Sequence, residues 1–132
     1  MLNSDYGFTR TFDNVKLDDA RSRITEALKK EGFGVLTEID VKATMKKKLD
    51  VDFRPYVILG ACNPPIALKA LTAEPAIGLL LPCNVVVAET DDGSSEVAVI
   101  KPEAMFSLVK NPDMEPLVKD VTERLTRALE AA

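Results

Sequence analysis

Hydrophobic and polar residues alternate along this chain with two different periods. A two-residue period is typical of strands, and a period of three to four residues is typical of amphipathic helices. Strands are predicted at residues 6–12, 35–39, 83–90 and 95–102, and a nearly continuous apolar run predicts a central strand at 56–62. The longer period predicts long helices from Asp18 to about Gly32 and from Pro116 onwards, and shorter helical segments at 41–49 and 64–73.

The clearest local signal is a turn at Asp91-Asp92-Gly93, which joins the last two predicted strands into an antiparallel hairpin. A loop containing Pro102 and Pro112 leads from this hairpin to the final helix. Both long helices can cover one face of a single sheet, so the order of elements predicts an α+β domain of two layers. No repeat, linker or low-complexity segment interrupts it, and we expect one domain over residues 1–132.

Composition excludes several classes of function. The chain has 132 residues, a net charge of −4 and a pI near 4.9, which argues against nucleic acid as a partner. It contains no histidine, which removes Ser-His-Asp and Cys-His catalysis and makes a conventional zinc or haem site improbable. We therefore expect no metal and no cofactor, and we identify no catalytic residues.

The distribution of apolar residues also bears on location. The first ten residues carry no apolar leader segment, and the longest apolar run, residues 76–82, is far too short to span a bilayer. We expect no membrane partner and a cytoplasmic location, where both thiols stay reduced.

Each of the two cysteines directly precedes an asparagine, in GACNPP (residues 60–65) and LPCNVV (residues 81–86). If the third and fourth strands are antiparallel neighbours, both Cys-Asn pairs lie at one end of the sheet, with helix 64–73 between them. We therefore predict a ligand-binding site formed by Cys62, Asn63, Cys83 and Asn84. Unpaired amides at the start of that helix could bind an anion or lower the pKa of the Cys62 thiol.

A purely structural explanation competes with this site. Free cysteine is among the most buried residue types and packs as a small hydrophobe. Asn63 is a good N-cap for the helix that follows it, and Asn84 could satisfy loop carbonyls where a strand begins. Residue chemistry alone favours this explanation.

The stretch DFRPYVILGACNPPIALKAL, followed by IGLLLPCNVVV, closely resembles the signature of the domain of unknown function 302 family, a group of small bacterial and archaeal proteins. The resemblance extends from about Gly32 to Ile100 and is less specific in the flanking helices. It implies a TATA-box-binding-protein-like fold: a strand, a helix, four strands of a curved antiparallel sheet and a helix, with short helices inserted. It also implies a homodimer, but no established activity, and the fold name does not imply DNA binding.

Recurrence of both Cys-Asn pairs in the family signature supports a shared pocket, and three hypotheses follow. The first is a non-enzymatic homodimer that binds a small molecule or a partner between the sheet and helix 64–73. The second is a thiol-based enzyme or redox sensor, with Cys62 as nucleophile and Cys83 as resolving thiol; a variant binds Cu(I) between subunits. The third is a structural or assembly module that associates through apolar surface.

Overall fold

The computed structural model describes all residues from Met1 to Ala132 and contains five strands and five helices. The strands are β1 (Gly7–Phe12), β2 (Gly34–Asp40), β3 (Tyr56–Cys62), β4 (Cys83–Glu89) and β5 (Ser95–Ile100). The helices are α1 (Leu17–Lys30), α2 (Val41–Leu49), α3 (Pro64–Ala73), α4 (Pro102–Phe106) and α5 (Glu115–Ala131), with 3₁₀ turns at Pro75–Leu80 and Pro112–Met114. None of these helices has both the length and the apolar character needed to cross a lipid bilayer.

The strands form one antiparallel sheet in the order β1-β5-β4-β3-β2. The long helices α1 and α5 pack on one face of this sheet and contact each other. The predicted α+β architecture of two layers, with its curved antiparallel sheet and short inserted helices, is confirmed. The predicted pairing of the third and fourth strands is also correct, since β3 and β4 are antiparallel neighbours.

The main hydrophobic core lies between the sheet and the two long helices. Its centre is a row of cross-strand neighbours in which Leu59, Val85 and Val99 stand opposite one another. Branched side chains suit this arrangement because they pack well on a pleated surface. The helices complete the core with apolar stripes that follow the helical period: Leu17, Ala20, Ile24, Ala27 and Leu28 from α1, and Val121, Leu125, Ala128 and Leu129 from α5.

Arg10 of β1 ties the end of α5 to the sheet. Its guanidinium donates hydrogen bonds to the carbonyl oxygens of Leu129, Glu130 and Ala132 at 2.9, 3.0 and 2.8 Å. Terminal helix carbonyls have no partner within their own helix, so this cation satisfies them and suits the negative end of the helix dipole. The contact sets the position of α5 along the sheet.

A second, smaller core lies beyond the end of the sheet. It contains Ala70 of α3, Ile77 of the first 3₁₀ turn, Phe106 of α4 and Met114 of the second 3₁₀ turn. The sequence predicts a loop containing Pro102 and Pro112. This prediction is wrong at both prolines, where the structure has helical turns. Both prolines begin helical turns, where a residue without an N–H is well accommodated.

The sheet has two edge strands, β1 and β2, and β2 is the more exposed of the two. From Leu36 to Asp40 every residue of this strand is exposed, and α2, which follows it directly, has no fully buried residue. The apolar side chains of Leu36 and Ile39 therefore face solvent in the single chain. An unprotected edge of this kind is able to pair with another chain.

Candidate functional site

A hollow of about 360 Å³ lies where the main core meets the smaller one. Its walls are the adjoining ends of β3 and β4, the helix α3 and the inner side of α5. Eighteen residues line it and fourteen of them are hydrophobic, including Phe33, Ile66, Phe106, Met114, Leu117 and Val121. We refer to this space as the apolar cavity.

Three of the four predicted site residues line the apolar cavity, and the fourth does not. Cys62, Asn63 and Cys83 contribute to its wall. Asn84 is exposed and borders a separate hollow of about 320 Å³ on the outer face of the sheet. The reason is strand alternation: Cys83 pairs with the inward-facing Ala61, so the next residue of β4 points to the opposite face.

Asn63 is buried, and both ends of its amide group make contacts within the fold. Its side-chain oxygen accepts a hydrogen bond of 3.2 Å from the backbone N–H of Ile66, which confirms the predicted N-cap. Its Nδ2 group approaches the carbonyl oxygen of Glu31 at 3.5 Å. The same amide packs against Gly32, whose φ of 85° belongs to the left-handed region and where an added Cβ would lie 2.8 Å from Nδ2. Asn63 therefore joins the start of α3 to the turn after α1.

The start of α3 offers no unpaired amide to an anion, so that part of the sequence prediction is wrong. The first two helical residues, Pro64 and Pro65, have no N–H at all. The N–H of the third helical residue, Ile66, is capped by the side chain of Asn63. The N–H of Ala67 donates to the backbone carbonyl of Asn63 at 2.8 Å. The proline pair that marks the beginning of the helix also removes its anion-binding groups.

The two thiols stay free and differ in exposure. Cys62 is half-buried, whereas Cys83 is buried in the main core. Burial raises the pKa of the Cys83 thiol to about 11, and the negative charge of an ionised Cys62 adds to the effect. Cys83 is therefore a neutral thiol near pH 7 and behaves as a small apolar side chain.

No charged side chain lines the apolar cavity. A cation, Arg124, lies close to the Gly32 turn, with its Nη1 3.7 Å from the position of a Cβ added to Gly32. Its Nη1 donates to the carbonyl of Glu31 at 3.0 Å, and its Nε donates to the carboxylate of Asp120 at 2.8 Å. The chain also holds no group of three or more acidic or cysteine side chains arranged to bind a metal ion.

A wider surface groove of about 840 Å³ runs along the outer side of α4 and α5. Only four of its thirteen lining residues are hydrophobic, and charged side chains such as Lys110, Glu115 and Lys119 are interspersed in it. A ligand site usually has an apolar lining with a few polar groups. The apolar cavity fits this description better than the larger groove does.

Four of the eighteen lining residues come from the C-terminal third of the chain, and their contribution was not predicted from the sequence. Phe106, Met114, Leu117 and Val121 reach the cavity through α4, the second 3₁₀ turn and α5. The prolines at 102 and 112 were a usable signal, because Pro favours the first turn of a helix. Tertiary packing decides which face of these turns contacts α3, and no local sequence pattern predicts it.

The family comparison agrees with the resemblance carried by the two Cys-Asn motifs. Residues 8–132 match the family model described as domain of unknown function DUF302, a wider span than the motifs alone indicated. A crystal structure of an uncharacterized conserved DUF302 protein from Bacillus stearothermophilus superposes with a TM-score of 0.87 at 29% identity, covering 97% of this chain and 98% of that chain. No curated protein matches the sequence.

The two asparagines provide a matched test of structural roles. We expect Asn63→Ala to lower the free energy of unfolding by about 1–2 kcal/mol, because the N-cap of α3 is lost. Asn84→Ala removes an exposed side chain and should change it by less than about 0.5 kcal/mol. Chemical denaturation measures both values, and equal effects of the two substitutions would contradict these structural roles.

The buried thiol gives a pH dependence with a defined sign. The pKa of Cys83 rises from an ordinary value of 9.0 to about 11 in the folded chain, so between these pH values the unfolded chain binds fewer protons. Stability is therefore lost as pH rises through this window, by about 2–3 kcal/mol from this group.

Denaturation of the wild type and of Cys83→Ala at pH 8, 9, 10 and 11 isolates this contribution. Lysine and tyrosine residues titrate alike in both chains, so the variant should lose stability less steeply. Parallel curves would show that the Cys83 thiol ionises as easily in the folded chain as in the unfolded one.

Proposed function

We propose that this chain, which belongs to the domain of unknown function DUF302 family, is a non-enzymatic domain that binds a small molecule in the apolar cavity. One observation carries the proposal: a cavity of about 360 Å³ with an almost wholly apolar wall lies between the two cores. Its size falls within the range of about 300–1,000 Å³ that is usual for small-molecule sites.

An apolar cavity of this size calls for a physical explanation. Protein interiors pack as densely as organic crystals, and voids larger than a water molecule are few. Apolar walls do not hold ordered water well, because water there lacks hydrogen-bond partners. A ligand that fills the space would restore the missing van der Waals contacts and stabilise the fold.

The thiol-based hypothesis has weaker support than ligand binding. A nucleophilic or redox-active cysteine needs an accessible thiolate, usually stabilised by nearby positive charge or free helix amides. Cys83 is buried with a pKa of about 11, and the start of α3 has no free amide to offer Cys62. We therefore assign both cysteines to the wall of the cavity.

A homodimer is our proposal for the assembled protein, and the exposed β2 edge of the sheet supports it. Strand β2 exposes Ile39 at this edge, and two such edges related by a two-fold axis could pair. The two free thiols of the chain are consistent with a reducing compartment, and we propose that the protein is located in the cytoplasm. Sedimentation at increasing protein concentration measures the association, and a mass that stays at 14.4 kDa would contradict it.

Filling the cavity from within tests ligand binding. Ala67 is half-buried in its wall, so Ala67→Leu should occupy part of the space without changing the backbone. Ala43→Leu makes the same substitution at an exposed position of α2 and serves as the control. We expect small molecules that co-purify with the wild type to be lost from Ala67→Leu and retained by Ala43→Leu.

Mass spectrometry of extracts from the three purified proteins reads out this experiment. The Cys62→Ser, Cys83→Ser double variant adds a second comparison, since it makes the same wall more polar and should also bind less. If wild type and Ala67→Leu carry the same molecules in the same amounts, binding in the apolar cavity is ruled out.

A further inference from the structure

We infer that the apolar cavity selects a neutral, mainly hydrocarbon ligand and rejects a carboxylate or other anion of the same length. This inference rests on the proposed function and narrows the class of ligand. Three features of the wall carry it: the charge of its lining, the state of the nearby hydrogen-bond donors and the character of its mouth.

The first feature is the absence of charge from the lining. Fourteen of the eighteen lining residues are hydrophobic, and none carries a charge. Transfer of an ion from water into such surroundings costs far more free energy than transfer of a neutral group. That cost is offset only by a partner of opposite charge or by several well-placed hydrogen bonds. An anion bound here would have neither.

The second feature is that the hydrogen-bond donors near the cavity already make contacts that hold the fold together. The amide of Asn63 holds α3 and approaches the carbonyl of Glu31, so its rotation towards a ligand would uncap the helix. Arg124 bonds to Glu31 and Asp120, and the prolines at the start of α3 have no N–H. Arg124 does not line the cavity, so an anion bound inside it would find no cationic partner in the wall.

The third feature is an apolar mouth. Leu71 lines the cavity and remains 41% exposed, and it belongs to α3 and not to the β2 edge that we propose to pair in a dimer. Exposed leucines at an opening present apolar surface to an entering hydrocarbon chain. Thr37 supplies the one hydroxyl of the lining, which is enough to bond a single alcohol or carbonyl oxygen.

The volume sets an approximate size for the ligand. Liquid water takes about 30 Å³ per molecule, and on that scale the space holds roughly twelve non-hydrogen atoms. A straight chain of eight to ten carbons with one oxygen fits this range. Binding should tighten roughly fourfold with each methylene added up to that length, because each buried methylene contributes about 0.8 kcal/mol.

Octan-1-ol and octanoate form the matched pair of probes. They share a chain length and differ chiefly in charge, so titration calorimetry at pH 7 compares the two head groups directly. We expect octan-1-ol to bind one site per chain at least tenfold more tightly than octanoate. We also expect the affinity to rise from hexan-1-ol to octan-1-ol.

A charge placed at the mouth tests the physical reason. Leu71→Lys puts an ammonium group on the cavity wall and should strengthen octanoate binding at least tenfold. Leu68 lies on the same helix, is 68% exposed and does not line the cavity, so Leu68→Lys is the control and should leave octanoate binding unchanged.

The outcomes separate this inference from the proposed function. If octanoate binds as tightly as octan-1-ol, and Ala67→Leu abolishes both, the selectivity is refuted while ligand binding in the cavity stands. If Leu71→Lys and Leu68→Lys strengthen octanoate equally, the effect comes from net charge and the wall does not set the selectivity. If neither the alcohols nor octanoate bind to the wild type, the inference is overturned, and absence of any co-purifying molecule then overturns the proposed function as well.

Discussion

The antiparallel pairing of β3 with β4 is the constraint on which the site depends. Because the two strands are neighbours, the chain that leaves β3 at Cys62 must return to the same end of the sheet at Cys83. Only one residue, Asn63, separates β3 from α3, so the helix begins directly over that end. A helix fixed at this point cannot join the main core over its whole length. It forms a second core with α4 and α5, and the apolar cavity is the space left between the two.

The residues at the predicted site have roles in packing and helix capping, and they do not supply the groups that a reactive site would need. Asn63 caps α3, Cys83 is a neutral buried thiol, and the proline pair removes helix amides that could have attracted an anion. Each of these residues therefore has a structural role that explains its type. What packing does not explain is why so much apolar wall is left without a partner. The proposed function consequently depends on the volume of this cavity and on the uncharged groups around it, which favour binding of a neutral molecule over catalysis.

Much of this arrangement could be predicted from local patterns. The two-residue and helical periods indicated the order of the elements, and the nearly continuous apolar run 56–62 correctly indicated a central strand. The same patterns contain two further facts. Alternation along β4 already places Asn84 on the face opposite Cys83, and two consecutive prolines already exclude free amides at the start of α3. The contribution of Phe106 and Met114 is different, because it arises from contacts between segments far apart in the sequence, which no local period encodes.

The methionine methyl groups allow the most direct test of the central claim, that the apolar cavity holds a ligand. Met114 lines the cavity, whereas Met45 lies in α2, next to the far end of β3. In a chain labelled with ¹³C at the methionine methyl groups, saturating octan-1-ol should shift the Met114 resonance and leave that of Met45 in place. If the Met114 resonance does not move, or if both resonances move by the same amount, the apolar cavity does not bind the ligand and the central claim is wrong.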